Sequence, residues 1–191
     1  MKKVDLEILD IALSGSSSGA YALVMGEVNG RRKLPIVIGG AEAQSIAIEL
    51  ENMKPSRPLT HDLMKNALTA FGMEVTEVLI HKMVEGVFYA QITVTDGVRE
   101  EYIDSRSSDA VAVGVRFGCP LRCSEEVLQI AGIDPEGEGE DAVDRLEELE
   151  QEAGEQVTVE ELKKKLQEAI EHENYELASE LKKRIDQQSA G

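Results

Sequence analysis

The feature that most constrains the fold is a change of hydrophobic period along the chain. Apolar residues recur at every second position in several short runs, and at every third or fourth position between them. Val4, Leu6 and Ile8 oppose Asp5, Glu7 and Asp10, and "AYALVMGEV" follows after a "SGSSSG" loop, which predicts two paired strands. "KLPIVIGG" reads as a third strand, after which "AEAQSIAIELENM" switches to helical spacing through Ala43, Ile46, Ala47 and Leu50. A second helix over "HDLMKNALTAF" should stop at Gly72, where a glycine cap belongs. Strands follow in "MEVTEVLIHKMV", "VFYAQITVT" and "REEYIDS", with Glu85-Gly86 and Asp96-Gly97 as their turns. A helix over "SSDAVAVGVRF", a short strand at "PLRCS" and a helix over "EEVLQIAG" complete the series. Strands in clusters with helices inserted between them predict an α+β domain over residues 1–133, built on a mixed, mostly antiparallel sheet.

From Asp134 the composition changes. Residues 134–157 begin a run in which eleven acidic residues face the single Arg145, the signature of a solvated linker. Residues 158–191 then regain helical periodicity. Leu162, Leu166, Ala169 and Ile170 form one stripe and Tyr175, Ala178, Leu181 and Ile185 another, with Thr158 and Glu161 as a capping box. Two such short helices form a hairpin too small to hold a sizeable core, so an association role is expected.

This partition matters for charge. The whole chain carries a formal −17, but residues 1–133 hold 13 basic and 18 acidic side chains, net −5, and the remainder 7 and 19, net −12. The first domain is thus only mildly acidic. A local basic surface for nucleic acid would require the fold to gather Arg31, Arg32, Lys33, Arg57, Arg99, Arg106, Arg116 and Arg122. Tryptophan is absent and aromatic residues are few, which weighs against stacking platforms for single strands. Cys119 and Cys123 lie four apart without a second pair, so reduced thiols are expected rather than zinc. Asp5, Glu7 and Asp10 interrupt what would have to be the apolar region of a signal peptide, and no stretch is long enough to span a bilayer. The expected location is the cytoplasm, with no membrane partner.

Three polar clusters could carry chemistry. Glu42, Ser45, Glu49 and Asn52 repeat at helical spacing, and the two carboxylates are candidates to hold a divalent cation, against the alternative of a solvated helix face. In "KPSRPLTHDLM", Thr60 reads as the N-cap, Leu59 and Met64 as a hydrophobic staple and Asp62 as a complement to the helix dipole. Capping leaves Arg57 and His61 unexplained. In "IDSRSSDAVAVGVR", Ser107 or Ser108 reads as a cap, while Asp104, Arg106, Asp109 and Arg116 crowd a strand end, where sites are commonly built, against the alternative that these acids and arginines simply pair as salt bridges. No glycine-rich phosphate loop, serine elbow or metal-binding histidine pair is present.

Together, "LPIVIGGAEAQSIA", "RPLTHDLM", "VFYAQITV" and "IDSRSSDAVAVGVRFGCPL" resemble the bifunctional nuclease family, with Ser107 standing where that family usually has proline. "LKKKLQEAIEHENYELASELKKRI" is similar to the UVR motif, a two-helix segment of excision-repair nuclease subunits and of some Clp-type chaperones and their adaptors. Lys182 and Lys183 stand where an arginine-aspartate pair is commoner. The resemblance implies a nuclease acting on RNA or DNA; with the three clusters it leads to the expectation of a phosphodiesterase dependent on Mg2+ or Mn2+, in which His61, Asp104 and Asp109 are the catalytic candidates. Arg57, Arg106 and Arg116 would hold phosphate, and Glu42 and Glu49 the metal. It further implies contact with another UVR-like hairpin, most simply in a homo-oligomer. The rival expectation is a non-catalytic adaptor that docks on a UVR-bearing partner.

Overall fold

The computed structural model describes residues 1–13 and 20–134. The acidic linker beyond Asp134 and the helical hairpin of 158–191, with its expected cap and stripes, lie outside the described residues.

Seven strands and four helices are seen among the described residues, in the order β1 (Lys3–Leu13), β2 (Tyr21–Glu27), β3 (Lys33–Ile38), α1 (Gly40–Leu50), α2 (Thr60–Ala70), β4 (Glu74–Val84), β5 (Val87–Thr95), β6 (Glu100–Arg106), α3 (Ser107–Phe117), β7 (Leu121–Ser124) and α4 (Glu125–Ala131). The strands make one sheet in the order β3-β2-β1-β7-β4-β5-β6. All neighbours are antiparallel except β4 and β7, which run parallel with Val78 opposite Leu121. The α+β class and mixed sheet match the expectation. The seating of β7 between β1 and β4 joins the two hairpin groups into one sheet.

The turns follow from residue chemistry. Glu85 and Gly86 both have positive φ, 51° and 77°, as a two-residue hairpin matching the strand twist requires. At the β5–β6 connection the Asp96 carboxylate accepts the amides of Val98 and Arg99, while Gly97 takes φ 85°. Gly72, at φ 69°, follows the last turn of α2 as expected.

Two caps differ from expectation. The N-cap of α2 is Leu59, in extended backbone, and Thr60 is already helical; the cap amide is satisfied by the Asp62 carboxylate at 2.8 Å. His61 is therefore the second helical residue, not the first. Likewise Arg106 caps α3, and Ser107 and Ser108 are helical and buried. In α4, Ser124 caps through its hydroxyl, which accepts the Val127 amide.

The core lies between one sheet face and the helices. Leu23, Ile36, Ile46, Val78, Ile80 and Val111 are essentially inaccessible within it. Helix α3 crosses β4, β5 and β6 and also supports α1 and α2. Burial of Cys123 pushes its thiol up to about 12, and it and Cys119 are free thiols. Among the described residues, no helix is long and apolar enough to cross a membrane.

The close approach of α3 to the sheet depends on Gly114. A Cβ there would stand 2.7 Å from both Leu121 Cδ2 and Val78 Cγ2. Gly114→Ala, although it improves helix propensity, should lower stability by about 1–3 kcal/mol through overpacking. A chemical denaturation midpoint would show it, and an unchanged or raised midpoint would contradict this packing.

Candidate active site

Three helices bring distant residues into one hydrogen-bonded chain. Ser45 on α1 meets His61 on α2, Oγ to Nδ1, at 2.8 Å. The other ring nitrogen, Nε2, lies 3.1 Å from Asp109 Oδ1 on α3. Arg106, at the end of β6, donates from Nε to Asp109 Oδ2 at 2.7 Å and from Nη2 to Glu42 Oε1 at 3.0 Å. Glu42, His61, Arg106 and Asp109, from three separate segments, thus meet where α1, α2 and the β6–α3 junction adjoin.

Donor logic fixes the direction of the chain. An ionised carboxylate only accepts, so His61 holds its proton on Nε2 and donates it to Asp109. Nδ1 then accepts the Ser45 hydroxyl. Ser45 Oγ in turn accepts from Arg116 Nη2 at 3.1 Å. The order serine, histidine, aspartate is that of a nucleophile relay. Ser45 is buried, however, and its oxygen faces the Arg116 guanidinium, so its place is to orient His61.

Arg116 lies beneath this chain with its side chain 1% exposed. Its Nε donates to Asp62 Oδ1 at 2.6 Å, Nη1 to the Ala112 carbonyl at 2.8 Å, and Nη2 to the Ser45 carbonyl as well as the hydroxyl. Lys65 Nζ donates to the carbonyl of Arg116. A guanidinium so enclosed ties α1, α2 and α3 together and does not reach a ligand at the surface. Arg106 differs, with 69% of its side chain exposed and only carboxylates holding it.

Burial by itself would raise the pKa values of Asp62 and Asp109. For Asp62 the Arg116 hydrogen bond and the Leu59 amide outweigh burial, and for Asp109 the Arg106 and His61 hydrogen bonds do. Both carboxyls are held below the ordinary value of 3.8.

The other sequence candidates stand apart from the network. Asp104 is exposed on β6 opposite Gln91, Arg57 is exposed on the approach to α2, and Glu49 is half-buried on α1. None of the three makes a side-chain hydrogen bond or ion pair among the described residues. Nor do the cations gather. Arg32 pairs with Glu27 and Glu125, Arg99 with Asp96, and Arg122 with Asp5 and Glu77, so each is neutralised where it stands. Among the described residues, no group of three His, Cys, Asp or Glu side chains could hold a metal ion. The guanidinium of Arg106 occupies the place between Glu42 and Asp109 where a cation would have to enter. Sequence reading missed two partnerships, Ser45 with His61 and Asp62 with Arg116. A helical-face repeat had exposed Ser45 but not what would cover it.

The described chain is therefore an α+β domain carrying a histidine–carboxylate–arginine cluster at a helix junction. It belongs to the bifunctional nuclease domain family, whose family model matches residues 23–136, and a UvrB/uvrC motif matches residues 156–187. An uncharacterized protein of Mycobacterium tuberculosis is 41% identical over 111 residues, which cover 58% of this chain and 66% of that protein. Its counterpart in a second strain gives the same figures. "Bifunctional nuclease 2" of Oryza sativa subsp. japonica is 25% identical over 103 residues, covering 52% of this chain and 32% of that protein. The matches span less than two thirds of each relative's own length.

Lowered folded pKa values set the sign of a pH effect. The stability that Asp62 and Asp109 contribute is present above 3.8 and is lost as pH falls through their lower folded values. Asp62→Asn should be destabilised at neutral pH, because Arg116 stays buried without its counter-charge, and its deficit should shrink in acid. Urea midpoints measured from neutral pH to below 3.8 would show the two curves converging, and a constant gap would contradict the assignment.

Proposed function

We propose that the domain hydrolyses phosphodiester bonds of RNA or DNA at the Arg106–Asp109–His61 cluster. The observation that carries this reading is the exposed Arg106 held only by carboxylates, directly over an aspartate-histidine pair. A phosphate diester competes with carboxylates for a guanidinium through the same paired geometry. When Arg106 turns from Asp109 to the phosphate, Asp109 loses a hydrogen bond that depresses its pKa and becomes a better base. Water attacks phosphorus, its proton passes to Asp109, and the P–O bond to the leaving oxygen breaks, that oxygen taking a proton from solvent. His61 keeps Asp109 in place throughout, and Ser45 keeps His61 in the required tautomer.

Arg57 and Asp104 enter the proposal as flanking groups, four residues before His61 and two before Arg106. Arg116 enters as the support beneath the site. Mg2+ or Mn2+ dependence is a separate part, for which Glu42 and Glu49 are the sequence candidates. The donor set does not fit a resident ion, because Arg106 already neutralises Glu42 and Asp109, so no step is routed through a metal.

A second reading has its own observation. Each side chain of the network has a partner within the domain, as in a structural lock, which suits a non-catalytic adaptor whose UVR motif docks on a UVR-bearing partner. Labelled RNA and DNA incubated with the purified full chain, with and without chelator, separate the readings. Arg106→Ala and Asp109→Asn should each lower cleavage by roughly 100-fold or more while the fold persists by circular dichroism. Equal cleavage by all three proteins would remove the site assignment. Cleavage that survives chelation removes only the metal part, and no cleavage together with specific capture of a UVR-bearing protein favours the adaptor.

A further inference from the structure

Helix α2 is amphipathic in the reverse of the usual sense. Its polar side faces the domain: His61, Asp62 and Lys65 make the contacts to α1 and α3, with Leu68 half-buried beside them. The opposite side holds Leu63, Met64, Ala67 and Phe71, which fall within about a third of a turn at 100° per residue. Leu63 is 64% exposed, Met64 45% and Phe71 80%, and none of the eleven residues of α2 is buried. A surface helix normally turns such a stripe inward, and nothing in the described chain covers this one.

We propose that the outer face of α2 is the contact through which two copies of this chain pair about a twofold axis. Three properties of the face select a second copy as its occupant. The stripe carries no charge, so it is complementary to itself, as an isologous contact demands. That matters for a chain of formal charge −17, whose copies repel elsewhere.

The ends of the helix also complement each other. Lys54 lies on the approach to α2, its last turn has no basic residue, and Glu74 follows its exit. Antiparallel pairing across a twofold sets the cation of one copy beside the carbonyl-rich end and Glu74 of the other, with opposed helix dipoles.

The area is of the right order. Leu63, Met64, Ala67 and Phe71 offer on the order of 400 Å² of mostly apolar surface per copy, about half of the ~800 Å² each partner gives to a standard interface. That is the proportion expected of an apolar centre within a polar rim. The inference does not depend on the catalytic reading. Its consequence for either reading is that pairing would stiffen the helix bearing His61 and Asp62.

The full chain tests this in two ways, because the UVR motif could itself associate. Light scattering at micromolar concentration should give a mass that halves in the double variant Leu63→Asp, Phe71→Asp, with melting at low concentration unchanged since both side chains are exposed. In the otherwise unaltered chain, Ala67→Cys should form a covalent dimer with a short bis-maleimide linker, whereas Glu126→Cys on α4 and the unsubstituted chain should not. A monomeric full chain, an assembly whose mass the double variant leaves unchanged, or a face found occupied by a different protein would each overturn the proposal.

Discussion

The buried guanidinium of Arg116 is the interaction on which the arrangement of the helices depends. It enters from α3 and satisfies Asp62 on α2 and Ser45 on α1, so one side chain fixes the spacing of all three. A charge at this depth is costly unless nearly all its donors find partners, and here its Nε and both terminal nitrogens do. The same bonds hold the site above it. Ser45 accepts from Arg116 and donates its hydroxyl hydrogen bond to His61 Nδ1, and Asp62 caps the helix on which His61 stands. Helix α2, with no fully buried residue, keeps its place by these polar bonds together with the half-buried Leu68 packed on the core.

Much of the scaffold was legible because it is locally encoded. Alternation in "VFYAQITVT" and "REEYIDS", the Glu85-Gly86 and Asp96-Gly97 turns, and the glycine after α2 are decided by neighbours within a few residues. The position of β7 was not, since a four-residue strand pairs with β1 and β4 across long separations, for which a short apolar run carries no information. The cap of α2 was misplaced by one residue for a different reason. Thr60 has the better capping side chain, but Leu59 has the extended backbone, and Asp62 satisfies its amide.

The candidate site was half legible. Of the two residues left over after capping, His61 does meet Arg106 through Asp109, which local pattern alone could not guarantee, whereas Arg57 stands apart. Arg116 was read as a surface cation because arginines usually are, and its partner Asp62 lies 54 residues away and already had a local explanation. Arg32, Arg99, Arg106, Arg116 and Arg122 are divided among separate carboxylates. An acidic chain that spends its cations in this way leaves the exposed Arg106 as the cluster's group for an anion. Its two present partners, Glu42 and Asp109, are the competitors that any phosphate must displace.

The proposed hydrolysis requires Asp109, His61 and Arg106 to act as one unit that responds to a phosphodiester. Side-chain 15N spectroscopy of the three histidines, His61, His81 and His172, reads this most directly. In the free full chain His61 should show the tautomer protonated on Nε2. A short non-hydrolysable oligonucleotide should shift its ring resonances, and Arg106→Ala should abolish that shift while keeping the tautomer. A proton on Nδ1, or oligonucleotide binding that leaves His61 unchanged, would contradict the account.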